Sequence, residues 1–214
     1  MDNLIYILFV SVFVPILLMA GLIEKRARQP IIFVLAGIFA SVFAAEVNGL
    51  LSSLLPMKLY DVTIIVTPIT EEILKAVPIL FYATVLDAKK EKLFTAAMAV
   101  GIGFAVLENA FYLLNDSSFN MIDAVIRAFG AGLMHGMCTL LVGVGISFAK
   151  KRSKIFVVGT FALLSTAITY HGIYNMLVQS EFEVVGFLLP MSTYIPFLIW
   201  RIRNVKNKKT QKAE

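Results

Sequence analysis

The chain has 214 residues, of which only 15% are charged, with a formal net charge of +5 and a single cysteine. A mean hydropathy of +0.84 excludes an ordinary soluble domain, in which about 25% of residues are charged. The apolar runs are continuous rather than alternating, which argues against a membrane β-barrel. Cys138 allows no intrachain disulfide, and the bases lie in short loops and a tail, so they read as membrane topology and not as a nucleic-acid surface.

Seven apolar segments follow one another at roughly 4–23, 31–55, 62–86, 93–114, 124–149, 155–178 and 184–201. The expected fold is therefore all-α, a polytopic bundle of about seven transmembrane helices. The first segment starts Met1-Asp2-Asn3, without a basic flank, and is followed by Lys25, Arg26 and Arg28. It reads as an anchor rather than a cleaved signal. Lys89, Lys90 and Lys92 follow the third segment, Lys150, Lys151, Arg152 and Lys154 the fifth, and the tail holds six more bases. The alternate connections hold only Lys58. This bias predicts an outside N-terminus and a cytosolic C-terminus. One domain is expected over 1–203, with a basic tail over 204–214 that lacks fixed structure.

The third segment carries Glu71-Glu72-Ile73-Leu74-Lys75 in a run otherwise long enough to span a bilayer. An ionisable group at the centre of such a helix costs about 2.5–3.5 kcal/mol on insertion scales. Lys75 stands i+4 from Glu71 and i+3 from Glu72, so it can partner either. One base does not neutralise two acids, and the spare carboxylate should meet donors from other helices. Pro68 and Pro78 flank the group and are expected to bend the helix around it.

Other spans bring matching residues. The second holds Glu46 and Asn48, the fourth Glu108-Asn109, the fifth Arg127 and His135, and the sixth His171 and Asn175 at i,i+4. At about 1.5 Å per residue, Glu71 and His135 fall roughly 15 Å below the outer face, with Glu108, His171 and Asn175 in the outer half. Four helices thus deliver acids and imidazoles to similar depth, which points to a shared site. Glu46 lies at comparable depth and is read as a bond to a neighbouring helix. Gly132-x-x-x-Gly136 around His135, with Gly101 and Gly103 before Glu108, marks close helix approach.

Carboxylates, imidazoles and an amide suit activation of water against a carbonyl, with a Glu as general base and His or Asn donating to the oxyanion. The same residues suit zinc bound by two His and one Glu with an open position. The residues alone leave both open. His-Glu-x-x-His is absent, and Asp61, Asp87, Asp116 and Asp123 sit at span ends or in loops, which disfavours an aspartyl dyad. No span carries a Gly-x-Ser-x-Gly nucleophile, and a Cys138 thiolate in hydrocarbon lacks an evident cation.

Taken in order, Glu71-Glu72-x-x-Lys75, Phe104-x-x-x-Glu108-Asn109, His135 and His171-x-x-x-Asn175 resemble the PrsW family of intramembrane proteases. That family is related to the CAAX prenyl endopeptidases and the bacterial immunity-type membrane proteases. The resemblance covers the third to sixth spans. It implies that Glu71 and Glu72 are the essential acids, with Glu71 at the water-activating position. It further implies that Glu108, His135, His171 and Asn175 complete the site, with Lys75 and Asn109 in support. The implied substrate is a single-span anti-sigma factor, cut on the extracytoplasmic side of a prokaryotic plasma membrane. The chain has Lys75 where the CAAX enzymes carry Arg one residue later, and Glu108 where they carry His, which points away from prenylated substrates. The relatives divide over metal; if zinc is bound, the expected ligands are His135, His171 and Glu108. A non-catalytic scaffold holding a partner helix is a rival reading, since the superfamily includes one. So is a proton- or ion-coupled transporter with Glu71, Glu72, Glu108 and Lys75 as relay, although the spans show no inverted halves.

Overall fold

A backbone in hydrocarbon must satisfy its own polar groups, and this chain does so with helices. The computed structural model describes residues 4–86, 88–115, 121–148 and 153–210, and among them no strand forms. Asp87, Asp116, Lys150, Lys151 and Arg152 lie outside the described residues.

The elements run in chain order: α1 (Leu4–Leu22), α2 (Lys25–Leu54), α3 (Leu59–Asp61), a π turn (Val62–Val66), α4 (Thr67–Thr84), α5 (Lys90–Asn115), α6 (Met121–Ile146), α7 (Ser153–Val178) and α8 (Glu183–Thr210). Five stretches among the described residues are long and apolar enough to cross a membrane: Leu4–Leu22, Ala27–Leu54, Lys90–Asn115, Ala124–Ile146 and Val157–Val178. Of the other two expected spans, α4 is 18 residues long and contains Glu71, Glu72 and Lys75, and the apolar part of α8, Glu183–Ile199, is shorter. The α8 helix continues past 204, where the sequence reading placed an unstructured tail, as far as Thr210. Residues 211–214 lie outside the described residues.

Packing follows the small residues. A Cβ added at Gly37 of α2 would lie 2.0 Å from the Val100 carbonyl oxygen, and one at Gly103 of α5 would lie 2.1 Å from that of Val34. The two glycines therefore let α2 and α5 cross backbone against backbone. Gly101 does the same between α5 and α6, where a Cβ would stand 2.4 Å from the His135 carbonyl oxygen. The sequence motif around His135 divides. Gly136 packs against the Met98 side chain, whereas a Cβ on Gly132 would meet nothing within 4 Å. Gly132 is therefore not a helix-contact residue here.

The main apolar core joins Ile79 and Ala83 of α4, Leu93, Ala97 and Val100 of α5, and Met134, Cys138 and Val142 of α6. The α1 helix stands at the edge, seating Ile5, Phe9 and Phe13 against Leu35, Ile38 and Leu107. The α8 helix packs on α6 and α7. In α4 the buried residues Pro68, Glu71, Glu72, Lys75, Ile79 and Ala83 recur at helical spacing, while Ile69, Ile73, Val77, Leu80 and Phe81 are exposed. The acids and the lysine thus share the inward stripe and present no charge to lipid.

Candidate active site

The entry to α4 is built by a backbone mismatch. Thr67 N–H bonds to the Val62 carbonyl, five residues back, which defines the π turn. Residue 68 is proline and has no N–H to give. The Thr63 carbonyl is thereby left without a helical donor, and Asn175 Nδ2 of α7 supplies one at 2.9 Å. A Cβ on Gly172, one turn earlier, would lie 2.8 Å from the Ile64 carbonyl oxygen. The expected bend at Pro68 is therefore a π turn clasped by α7. Pro78 sits inside α4, which runs through it to Thr84.

One turn into α4 the three ionisable residues are buried completely or nearly so. Lys75 Nζ donates to Glu72 Oε1 at 2.6 Å and faces His135 Nδ1 at 2.8 Å. The same ammonium lies 4.6 Å above the Phe104 ring centroid, which adds a cation–π contact. Glu72 Oε1 also pairs with His171 Nδ1 at 2.8 Å. The His135 and His171 rings stand edge to face, with centroids 4.9 Å apart. His135 Nε2 meets Glu108 Oε2 at 2.8 Å. Because the Lys75 ammonium can only donate, Nδ1 of His135 is the acceptor and Nε2–H donates to Glu108.

Glu71 is placed differently. Its nearest polar contacts are Asn48 Nδ2, 3.5 Å from Oε1, and His171 Nε2, 3.8 Å from Oε2. Oε2 is buried and has no hydrogen-bond partner. Asn48 is itself oriented by the Thr70 hydroxyl, which donates to Oδ1.

A cavity of about 710 Å³ opens beside this cluster, with Glu108 and His135 in its wall. Leu59, Asn115 and Glu183 line its other end, at the connections that carry few bases. Arg127 enters the same wall, with Nη2 3.9 Å from Glu108 Oε2. Asn109 Nδ2 ties α5 to α6 by donating to the Arg127 carbonyl at 3.2 Å.

Glu71, Glu72, Lys75, Glu108, His135 and His171 are thus brought together, Asn109 holds a neighbouring helix, and Asn175 acts on the π turn while lining the cavity. Glu46 is apart, accepting a hydrogen bond from Tyr6 of α1, in keeping with its reading as a helix-to-helix bond. Asn48 and Arg127 were visible in the sequence but not assigned to the site. Each shares its span with another polar residue, and only the fold brings Asn48 to Glu71 and Arg127 to Glu108.

The donor set fits a metal. Glu71, His135 and His171 offer ligand atoms that all lie within 4.8 Å of one another, and the Glu71 Oε2 atom is orphaned. Glu72 fixes His171 through Nδ1 and leaves Nε2 toward Glu71, the carboxylate–histidine arrangement of metal sites. Lys75 holds Nδ1 of His135 and Glu108 holds Nε2, so a metal would take Nε2 in place of its proton and of the Glu108 bond. Two imidazoles and a carboxylate suit zinc. The carboxylate gathered with the two imidazoles is Glu71, while Glu108, the expected third ligand, bonds His135 Nε2.

A buried cluster of carboxylates and imidazoles beside a cavity, in a chain with five helical stretches able to cross a membrane, is consistent with a multi-pass hydrolase of the bilayer. Residues 25–201 match the model of the PrsW family intramembrane metalloproteases, and the chain belongs to that family. Neither the curated proteins nor the solved structures yield a match.

Proposed function

We propose that this chain is an endopeptidase that cuts a single-span membrane protein from the face of its base-poor connections, with Glu71 as the acid that handles the proton of the attacking water. The observation that carries the reading is the contrast within α4. Glu72 Oε1 is held by Lys75 at 2.6 Å and by His171 at 2.8 Å, whereas Glu71 is met by Asn48 at 3.5 Å and by His171 Nε2 at 3.8 Å, with Oε2 of both acids buried and without a hydrogen-bond partner. A general base must have a free lone pair within reach of its proton. Water attacks the scissile carbonyl carbon, Glu71 accepts the water proton, and that proton leaves on the amine as the C–N bond breaks. His135 and Glu108 at the cavity wall orient the peptide and its carbonyl.

Glu71, His135 and His171 are the residues that would hold zinc. Zinc would supply Lewis-acid polarisation of the carbonyl and of water. The cavity opens opposite the Lys25–Arg28 and Lys89–Lys92 loops, so by the positive-inside rule it faces the extracytoplasmic side. That orientation and the family resemblance support an anti-sigma factor as substrate in a prokaryotic plasma membrane.

The test is proteolysis by purified protein in liposomes, with a panel of tagged single-span proteins from the same cell, comparing wild type with Glu71→Gln. Cleavage by wild type that is lost in the variant is the expected result. Undiminished cleavage by Glu71→Gln ends the assignment. A zinc chelator tests the metal: cleavage that survives leaves Glu71 as base alone, and cleavage that stops makes zinc necessary, whichever carboxylate holds it.

A further inference from the structure

Hydrolysis as described leaves one charge of the cavity idle. Among the described residues lining it, Arg127 is the single Lys or Arg, against Glu108 and Glu183. Its guanidinium carbon lies 4.1 Å from the centroid of the Tyr112 ring, a cation–π contact that helps to hold the group in place. Asn109 fixes the backbone beneath it. The Glu108 contact at 3.9 Å is too long for a hydrogen bond, and Glu108 Oε2 is already held by His135 at 2.8 Å. Arg127 Nε is buried and has no hydrogen-bond partner, and four-fifths of the side chain is shielded.

A desolvated guanidinium with an unused donor is an unfavourable resting state that an incoming acceptor relieves. The fork of a guanidinium matches the two oxygens of a carboxylate in one plane. A lone backbone carbonyl fills one donor and leaves the charge unmatched. The place matters as well. Glu108 Oε2 lies between Arg127 and His135, 3.9 Å from Nη2 of the first and 2.8 Å from Nε2 of the second, and an extended chain advances about 3.3 Å per residue. A group bound at Arg127 therefore belongs to a residue within about two positions of the bond that is cut.

We propose that Arg127 is a specificity-determining residue that binds an Asp or Glu side chain of the substrate segment in the cavity, within about two residues of the scissile bond. The inference rests on the protease reading. Its test uses the full chain in liposomes and single-span substrates that differ at one position only. Glu, Gln or Lys is scanned through the residues flanking the cut, and kcat and KM are measured separately. At one position the wild type should prefer Glu over Gln by about 10–100-fold in kcat/KM, mostly through KM, with Lys poorest. Arg127→Gln should bring the Glu-to-Gln ratio to about one, Arg127→Lys should keep its sign at reduced size, and Arg127→Glu should turn the preference toward Lys. Each ratio is taken within one variant, so a loss of folded protein cancels. Wild type without a charge preference, or a preference unchanged in Arg127→Gln, overturns the assignment while leaving the protease reading intact. Failure of the wild type to cleave any substrate removes the protease reading and this inference together.

Discussion

Glu71 and Glu72 are neighbours in the chain and opposites in the fold. Glu72 Oε1 receives Lys75 Nζ at 2.6 Å and pairs with His171 Nδ1 at 2.8 Å, while Glu71 is met by Asn48 at 3.5 Å and by His171 at 3.8 Å. Neutralising each should therefore have different effects. Glu71→Gln removes a charge that no protein group binds closely, so the metal-free protein should keep or gain thermal stability while cleavage falls by at least about 10²-fold, the usual worth of a general base. Glu72→Gln removes the partner of a buried ammonium and should lower the melting temperature in detergent as well as the rate. Equal stability losses in the two variants would contradict this division.

Lys75 is fully buried, and its ammonium holds both Glu72 and the tautomer of His135. Lys75→Met leaves the Glu72 carboxylate with His171 alone. Removing one member of a buried pair costs about 3–5 kcal/mol, so this variant should be among the least stable at the site. The double variant Glu72→Gln/Lys75→Met removes both charges and should recover much of that stability without recovering activity, because His135 loses its orienting donor. Thermal unfolding of the two variants, followed beside cleavage, checks both halves.

Gly101 and Gly132 separate packing from pattern. A Cβ at Gly101 meets the His135 carbonyl oxygen at 2.4 Å and the Gly136 Cα at 2.8 Å. These are backbone atoms that cannot turn aside. Gly101→Ala should force α5 and α6 apart at the depth of the site, costing about 1–3 kcal/mol and most of the activity. Gly132→Ala meets nothing within 4 Å and gains helix propensity worth up to about 1 kcal/mol, so it should be neutral to stabilising with cleavage intact.

The helices and the cluster were legible because hydrocarbon makes polarity expensive. Every buried acid or imidazole of the site stands out in an apolar run, and depth along the helix already grouped Glu71, Glu108, His135 and His171. Which of two adjacent carboxylates is spare was not legible. That depends on where His171 and Lys75 point, and both side chains reach either acid by spacing alone. Depth and the family resemblance group Asn175 with the site, and it does line the cavity. Its amide also answers a carbonyl orphaned by Pro68 and the π turn, a backbone event that hydropathy does not register. The role of Gly132 was over-read for a similar reason, since a small-residue pair has no direction until the neighbouring helix is placed.

Asn175 should accordingly behave as a positioning residue. Asn175→Ala leaves the Thr63 carbonyl unsatisfied at a cost of about 1–3 kcal/mol and frees the segment that leads into Glu71. Stability and rate should fall together, in contrast to Glu71→Gln. A rate loss in Asn175→Ala with unchanged thermal stability would mean that the amide acts on the substrate directly.

Metal content distinguishes Glu71 from Glu108 as the third ligand without any turnover. Glu71, His135 and His171 are the gathered donors, while Glu108 contacts His135 Nε2 and lies near Arg127. Purified wild type dialysed against zinc should retain close to one ion per chain and melt at higher temperature with zinc than without, since binding to the folded state alone stabilises it. His171→Ala and Glu71→Gln should lose both the ion and the thermal shift. Glu72→Gln, which only orients His171, should weaken the affinity by about 10–100-fold, as second-sphere changes do. Glu108→Gln should keep the ion. If Glu108→Gln loses zinc while Glu71→Gln retains it, the ligand set is His135, His171 and Glu108, and Glu71 is left to act on water alone.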